Sequence, residues 1–277
     1  MICEELLREG VGMLPRRVGV PDPAREARWL LAAAWGVPES RVLAGPQAVV
    51  PTDVVTRFRE WVRRRAAGEP AEHLTGRCRF FGRDFQVSPD VLVPRPETEL
   101  VVDTALSLAL PRAARVVDVG TGSGCLAVTL SLERPAWRVV AVDTSVAALR
   151  VARRNARRTG ASVAFAASDL ATALAPGFDL VVANLPYIPT AELGGLPVEV
   201  RHDPVTALAG GADGLDLVRR LTDDLGRLAR RCGGAILELG EHQADEVAAH
   251  AASRGLAVAR RVRDVAGTER VLVLQPV

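Results

Sequence analysis

The sequence predicts an α/β fold in which a small helical head precedes a doubly wound sheet of seven strands. Three observations carry that expectation. Apolar residues recur at helical spacing through residues 1 to about 75. From about residue 94 the texture changes to short Val-, Ala- and Leu-rich runs alternating with amphipathic helices, as in parallel sheets buried on both faces. The length, 277 residues, is about twice a common domain size and leaves room for both parts. The expected division is a helical domain at 1–75, a linking β-hairpin at 76–93 and the sheet domain at 94–277.

In the head, Asp22 and Pro23 offer an N-cap and a proline at the first helical position. After Pro51, the residues Val54, Val55, Phe58, Trp61 and Val62 mark one apolar helix face, with arginines opposite. Gly68-Glu69-Pro70 ends that helix. CRFFGRDFQV then reads as two short aromatic strands about Gly82-Arg83. Strands are expected at 115–119, 138–143, 163–166, 178–183, 235–239, 257–262 and 270–274, with helices at 145–159, 215–230 and 243–254 among them. This alternation implies right-handed crossovers. The last two strands are joined by only a short connection, which predicts that one is antiparallel.

Composition narrows the chemistry. At 48% hydrophobic and 25% charged residues, the chain reads as a soluble globular protein. Its 35 cations against 33 acids leave +2, too little for a general nucleic-acid or membrane binder. Every one of those cations is arginine, which reads as the bias of a GC-rich coding sequence and excludes mechanisms needing a Schiff-base or P-loop lysine. No apolar run approaches the ~18–20 residues of a membrane span. The N-terminus MICEELLREG lacks an apolar signal core, so a cytoplasmic protein is expected. The four cysteines and four histidines are scattered, so thiols should be reduced and no metal site is expected.

The first predicted strand runs into a glycine loop, VVDVGTGSGCLAVTL, with Gly120, Gly122 and Gly124 separated by Thr121 and Ser123. A strand, a tight turn and a helix start let backbone amides approach a ligand. The spacing is GxGxG; the dinucleotide fingerprint GxGxxG fails at Cys125. Asp143, 23 residues after Gly120, ends the second strand, where an acid can accept both hydroxyls of a ribose. Asp118 beneath the loop has two readings, ligand for an ammonium group or brace for the loop. Asp169 and Leu170 end the third strand region and either flank an adenine ring or, for Asp169, cap a following helix. The sharpest feature is DLVVANLPYIP: Asn184 closes a buried strand, Pro186 restricts Leu185 and aims its carbonyl outward, and Tyr187 is the chain's only tyrosine. Asn184 and the Leu185 carbonyl suit the two hydrogens of a planar NH2 group, with an aromatic face against it. An ordinary turn with a buried tyrosine is the alternative.

Together, GxGxG, the acid ending the second strand and Asn-x-Pro-Tyr after the fourth resemble the class I S-adenosylmethionine-dependent methyltransferases and their Rossmann-like sheet. More closely, the chain resembles the protein-(glutamine-N5) methyltransferases of peptide chain release factors, the PrmC or HemK family. The resemblance spans GEPAEHLTG (68–76), FFGRDFQVSPDVLVPRPETELVV (80–102), EVRHDPVTALAGGADGL (199–215) and LELGEHQ (237–243). It implies that Gly120, Thr121, Gly122, Ser123 and Gly124 wrap the methionine part of the cofactor, that Asp143 holds its ribose, and that Asn184 also borders it. Leu170 stands where the family often has a tryptophan against the adenine. Asn184, Leu185, Pro186 and Tyr187 would hold the acceptor glutamine, with Asn184, Pro186 and Tyr187 as the catalytic set. Two further positions depart from the family: Leu185 replaces a proline, and Asp203-Pro204 stands for Glu-Pro.

The implied partners are class I release factors, methylated on the glutamine of their Gly-Gly-Gln loop, with the head gripping the protein substrate and no direct contact to nucleic acid or membrane. Arg16, Arg17, Arg63, Arg64 and Arg65 would meet an acidic partner or form a solvated helix face. Small-molecule and N6-adenine methyltransferases on the same scaffold, and a non-catalytic cofactor-binding protein, stay open beside this reading.

Overall fold

The computed structural model describes residues 1–15 and 22–277, the side chains of 230–233 apart. Arg16 and Arg17 therefore lie outside the described residues. The chain divides into two compact units, Met1–Arg77 with Pro197–His202, and Cys78–Leu196 with Asp203–Val277.

The first unit consists of α1 (Cys3–Met13), α2 (Pro23–Trp35), α3 (Glu39–Ala44), α4 (Thr52–Ala66) and α5 (Ala71–Thr75). Its core is built on Leu6, Leu30, Leu31, Phe58 and Val62. Asp22 stands at the N-cap of α2, but its side chain makes no capping bond; Pro23 and the Glu26 N–H on the Asp22 carbonyl start the helix instead. Arg65 corrects the solvated-face reading. It follows Phe58 and Val62 at helical spacing, so it shares their inward face. There it is buried and pairs with Glu26 at 2.6 Å and Glu199 at 3.4 Å. Arg64 pairs with Glu69 at 2.6 Å, while Arg63 is exposed.

A hairpin follows, β1 (Arg77–Phe80) and β2 (Arg83–Gln86), all of it but Arg77 in the second unit. Its turn sits at Phe81 and Gly82, one residue earlier than expected, with both at positive φ (48° and 73°). That is the two-residue geometry matched to strand twist. The unusual Phe81 is held by its N–H bonding Glu99 Oε1 at 2.6 Å. A 3-10 turn (Pro96–Thr98) leads into α6 (Glu99–Ser107).

The sheet follows: β3 (Arg115–Val119), α7 (Cys125–Glu133), β4 (Arg138–Asp143), α8 (Val146–Thr159), β5 (Val163–Ala167), β6 (Phe178–Asn184), α9 (Asp216–Leu228), β7 (Ala229–Glu238), α10 (Ala244–Ser253), β8 (Leu256–Arg263) and β9 (Glu269–Pro276). Spatial order is β5-β4-β3-β6-β7-β9-β8, parallel except β9, which is antiparallel to both neighbours. The period-2 alternation of a strand sorts the side chains onto two covered faces. Val117, Val119, Val181 and Ala183 pack with Leu221, Leu225 and Val247 of α9 and α10. Val116, Leu180, Val182 and Ile236 pack on the other face with Val101, Leu126 and Val128 of α6 and α7. β7 begins six residues before the expected 235 because its first half, ARRCGG, carries no apolar run. Among the described residues no helix is long and apolar enough to cross a membrane.

Candidate active site

The chain leaves β3 to form β4 on one side and later returns to place β6 on the other, making a switch point at the carboxyl ends of β3 and β6. Val119 and Ala183 are paired there, so the glycine loop and the Asn184 turn emerge side by side. Between them opens a cleft. Gly120, Thr121, Gly122, Ser123, Asp143, Leu170, Asn184, Leu185 and Pro186 all border it. Gly124 and Tyr187 are not among the bordering residues.

The loop's glycines serve different needs. A Cβ on Gly120, at φ 76°, would stand 2.9 Å from Leu185 Cδ2, so this glycine makes room for a packed side chain. A Cβ on Gly122 would meet no protein atom within 4 Å, although the residue borders the cleft; there a missing side chain leaves space for a ligand. Gly124 is excluded from the cleft because it packs on Ala152 of α8.

Most of the loop's amides are spent inside the protein rather than on a ligand. Gly120 and Thr121 donate to the Val142 carbonyl at 2.9 and 3.0 Å, Gly122 to Asp143 Oδ2 at 2.9 Å and Gly124 to the Thr121 carbonyl at 2.8 Å. The amides of the cleft-lining residues Cys125 and Leu126, the first two of α7, have no place in the helical ladder. Asp118 is the brace: Oδ2 accepts from the Thr121 hydroxyl at 2.6 Å and the Ala127 N–H at 3.2 Å. It is fully buried and does not border the cleft, and burial pushes its carboxyl up to about 7.

Asp143 accepts the Gly122 N–H on Oδ2 and the Ser145 N–H, at 2.8 Å, on Oδ1. Each oxygen keeps acceptor capacity toward the cleft. Leu170 lies at φ 47°, an unusual conformation for a leucine, and shares the cleft wall with Leu217. Asp169 does not cap a helix: a turn follows it, and its carboxylate pairs with Arg220 at 2.6 Å.

At the end of β6, Asn184 donates from Nδ2 to Thr98 Oγ1 at 3.0 Å, which leaves Oδ1 as the amide's accepting end. Leu185 buries its side chain beneath the glycine loop at 4% exposure, and among the described residues no protein donor reaches its carbonyl. Burial thus supplies the rigidity that a proline would have given. Tyr187 is held from behind: its carbonyl accepts from Gln243 Nε2 at 2.9 Å, and its ring lies against Gly240. Burial raises its phenol above the ordinary tyrosine value. The structure therefore does not bring an aromatic face to the cleft wall at this turn.

Residues that sequence reasoning gave no role complete the site. Leu92 and Pro94 border the cleft, as do Pro204, Thr206 and Ala207. Buried Asp203 ties these two stretches together, accepting the Val93 N–H at 3.2 Å and Arg95 at 2.6 Å. Thr98 also borders the cleft. Behind it Glu238 ends β7 at 2% exposure, its carboxyl pushed up to about 7 by burial. An acid closing a buried strand is the signal that identified Asp143, and it was present in AILELG as well.

Comparison with known proteins agrees with this geometry. Residues 5–76 match the PrmC N-terminal domain model and residues 98–193 the methyltransferase small domain model. A methyltransferase from Pyrococcus furiosus shares the fold, with a TM-score of 0.54 at 18% identity, covering 70% of this chain and 89% of that one. The release factor glutamine methyltransferase of Koribacter versatilis is 40% identical over 258 residues, 91% of each chain. That of Moorella thermoacetica is 42% identical over 248 residues, 87% of this chain and 88% of its own. Identity at that level over nearly the whole length decides the question: the chain belongs to the release factor glutamine methyltransferase family.

Proposed function

We propose that the protein transfers a methyl group from S-adenosylmethionine to the side-chain amide nitrogen of the glutamine in the Gly-Gly-Gln loop of class I release factors. The observation that carries the chemistry is the fixed amide of Asn184, whose nitrogen is committed to Thr98. Its Oδ1 and the Leu185 carbonyl are two acceptors that match the two hydrogens of a planar NH2. Pro186 keeps the Leu185 carbonyl turned outward. Tyr187 acts here as the anchor of the turn through Gln243.

The cleft suits the cofactor. The open amides of α7 face an anion such as the amino-acid carboxylate, Asp143 can accept ribose hydroxyls, and Leu170 with Leu217 offers an apolar slot for adenine. S-adenosylmethionine supplies a methyl group already activated on a sulfonium. What remains for the protein is alignment, because an amide nitrogen is a poor nucleophile with its lone pair delocalised. Acceptors on the amide hydrogens favour positive charge growing on nitrogen in the transition state. The N-terminal helical unit, 1–75, serves as the grip on the protein substrate, and the reaction belongs to translation termination in the cytoplasm. An adenine amine offers the same planar NH2, but family membership favours glutamine. Asn184→Ala tests the reading: kcat should fall by about 100-fold or more, the size of losing a positioned polar group, with cofactor affinity held within a few fold. Normal turnover with strongly weakened cofactor binding would overturn it.

A further inference from the structure

We propose that Glu238 is a positioning residue for methyl transfer, holding the Asn184 amide with its oxygen turned toward the acceptor. The proposal rests on the reading that Asn184 receives the substrate amide. Asn184 and Glu238 are register partners on adjacent parallel strands, so their side chains leave the same face of the sheet side by side. Thr98, delivered by the turn before α6, stands with them: its Oγ1 accepts from Asn184 Nδ2 at 3.0 Å. Thr98 and Asn184 are also the side chains whose polar groups favour the ionised form of Glu238.

The chemistry of the trio fixes a direction. An amide can present either end by a 180° flip, and only its partners decide which. A carboxylate accepts and cannot donate, so a hydroxyl facing it turns its hydrogen toward the carboxylate and leaves the lone pairs of Thr98 Oγ1 for Asn184. The NH2 end of Asn184 then faces protein acceptors, and Oδ1 is left for the substrate. A protonated Glu238 could donate instead, and the amide could turn its NH2 toward a substrate that offers only hydrogens. One further detail argues against a merely structural acid. Among the described residues Glu238 Oε2 is buried without a hydrogen-bond partner, a cost that an apolar residue of similar volume would avoid.

The groups facing Glu238 come from five places. Thr98 and Glu97 lie in the turn before α6, Asn184 at the end of β6, Tyr187 after it, Arg270 on β9 and Cys125 at the start of α7. Burial and Glu97 raise its carboxyl, Thr98, Arg270 and Asn184 lower it, and the result is about 7. The active form is the carboxylate, so turnover should decline as pH falls through that value.

The test compares the wild type with Glu238→Gln, Thr98→Val and Thr98→Ser, using S-adenosylmethionine and an unmethylated release factor. Glu238→Gln should lower kcat by about 10- to 100-fold, the scale of a misplaced reacting group, with cofactor KM within about twofold. The wild-type decline near pH 7 should vanish in that variant. Thr98→Ser should keep most of the activity that Thr98→Val loses. A second readout needs no acceptor: the Asn184 side-chain NH2 resonances, assigned by their loss in Asn184→Ala, should titrate near pH 7 in the wild type and not in Glu238→Gln. If the wild type leaves the release factor unmodified, the functional reading fails while the NMR titration still decides the coupling. Wild-type kcat and pH profile in Glu238→Gln, or resonances that do not titrate, would overturn the proposal.

Discussion

The close contact between the glycine loop and Leu185 can be measured as a coupling energy. Leu185 is 4% exposed and borders the cleft, so truncating it to alanine opens space to solvent rather than sealing a cavity. The loss is then mainly transfer free energy, three carbons at ~0.8 kcal/mol each, or about 2.4 kcal/mol. Gly120→Ala carries two separate costs. One is the left-handed backbone at φ 76°, about 1–2 kcal/mol for any residue with a Cβ. The other is a Cβ placed 2.9 Å from Leu185 Cδ2, a contact that exists only while the leucine is present. In the double variant the contact disappears and the backbone cost stays. The pair should therefore be less destabilising than the sum of the singles by about 1 kcal/mol, within the range for touching residues. Urea denaturation followed by circular dichroism on all four proteins gives the number. Additivity within about 0.3 kcal/mol would show that Leu185 does not lie beneath the loop.

Two further predictions concern charge. Asp118 is raised in the folded state from 3.8 to about 7, so between those values the native protein holds a proton that the unfolded chain has released. Stability therefore falls as pH rises from about 4 to about 7, and urea midpoints across that range should fall less steeply in Asp118→Asn; an unchanged slope would refute the assignment. In the helical unit, Arg65→Ala leaves Glu26 buried without its cation and should cost about 3–5 kcal/mol by calorimetry. A loss below about 1 kcal/mol would mean that the pair is solvated.

The sheet was legible because its signals are local. VVDV, VVAVD and DLVVAN each announce a buried strand on their own, and five parallel strands with helical crossovers leave few topologies. The candidate site was legible where a residue ends a strand: Asp143 and Asn184 need only their neighbours to be placed. Thr98 and Glu238 were not, since Asn184 meets Thr98 across 86 residues of chain. Nor could spacing reveal how the loop spends its amides, because the acceptors, Val142 and Asp143, belong to the next strand. Replacement of a proline by Leu185 does not by itself reveal that the leucine side chain packs under Gly120. Arg65 misled for a related reason. Its charge suggested solvent, but its helical position beside Val62 placed it inward, where Glu26 was waiting from another helix.

The central claim is that the Asn184 turn presents two acceptors to a glutamine amide. Mass spectrometry of an unmethylated class I release factor, incubated with the protein and S-adenosylmethionine, tests it most directly. The expected result is a single added methyl on the Gly-Gly-Gln glutamine, absent with Asn184→Ala. An unmodified release factor in the presence of bound cofactor, or full methylation by the Asn184→Ala protein, would contradict the account.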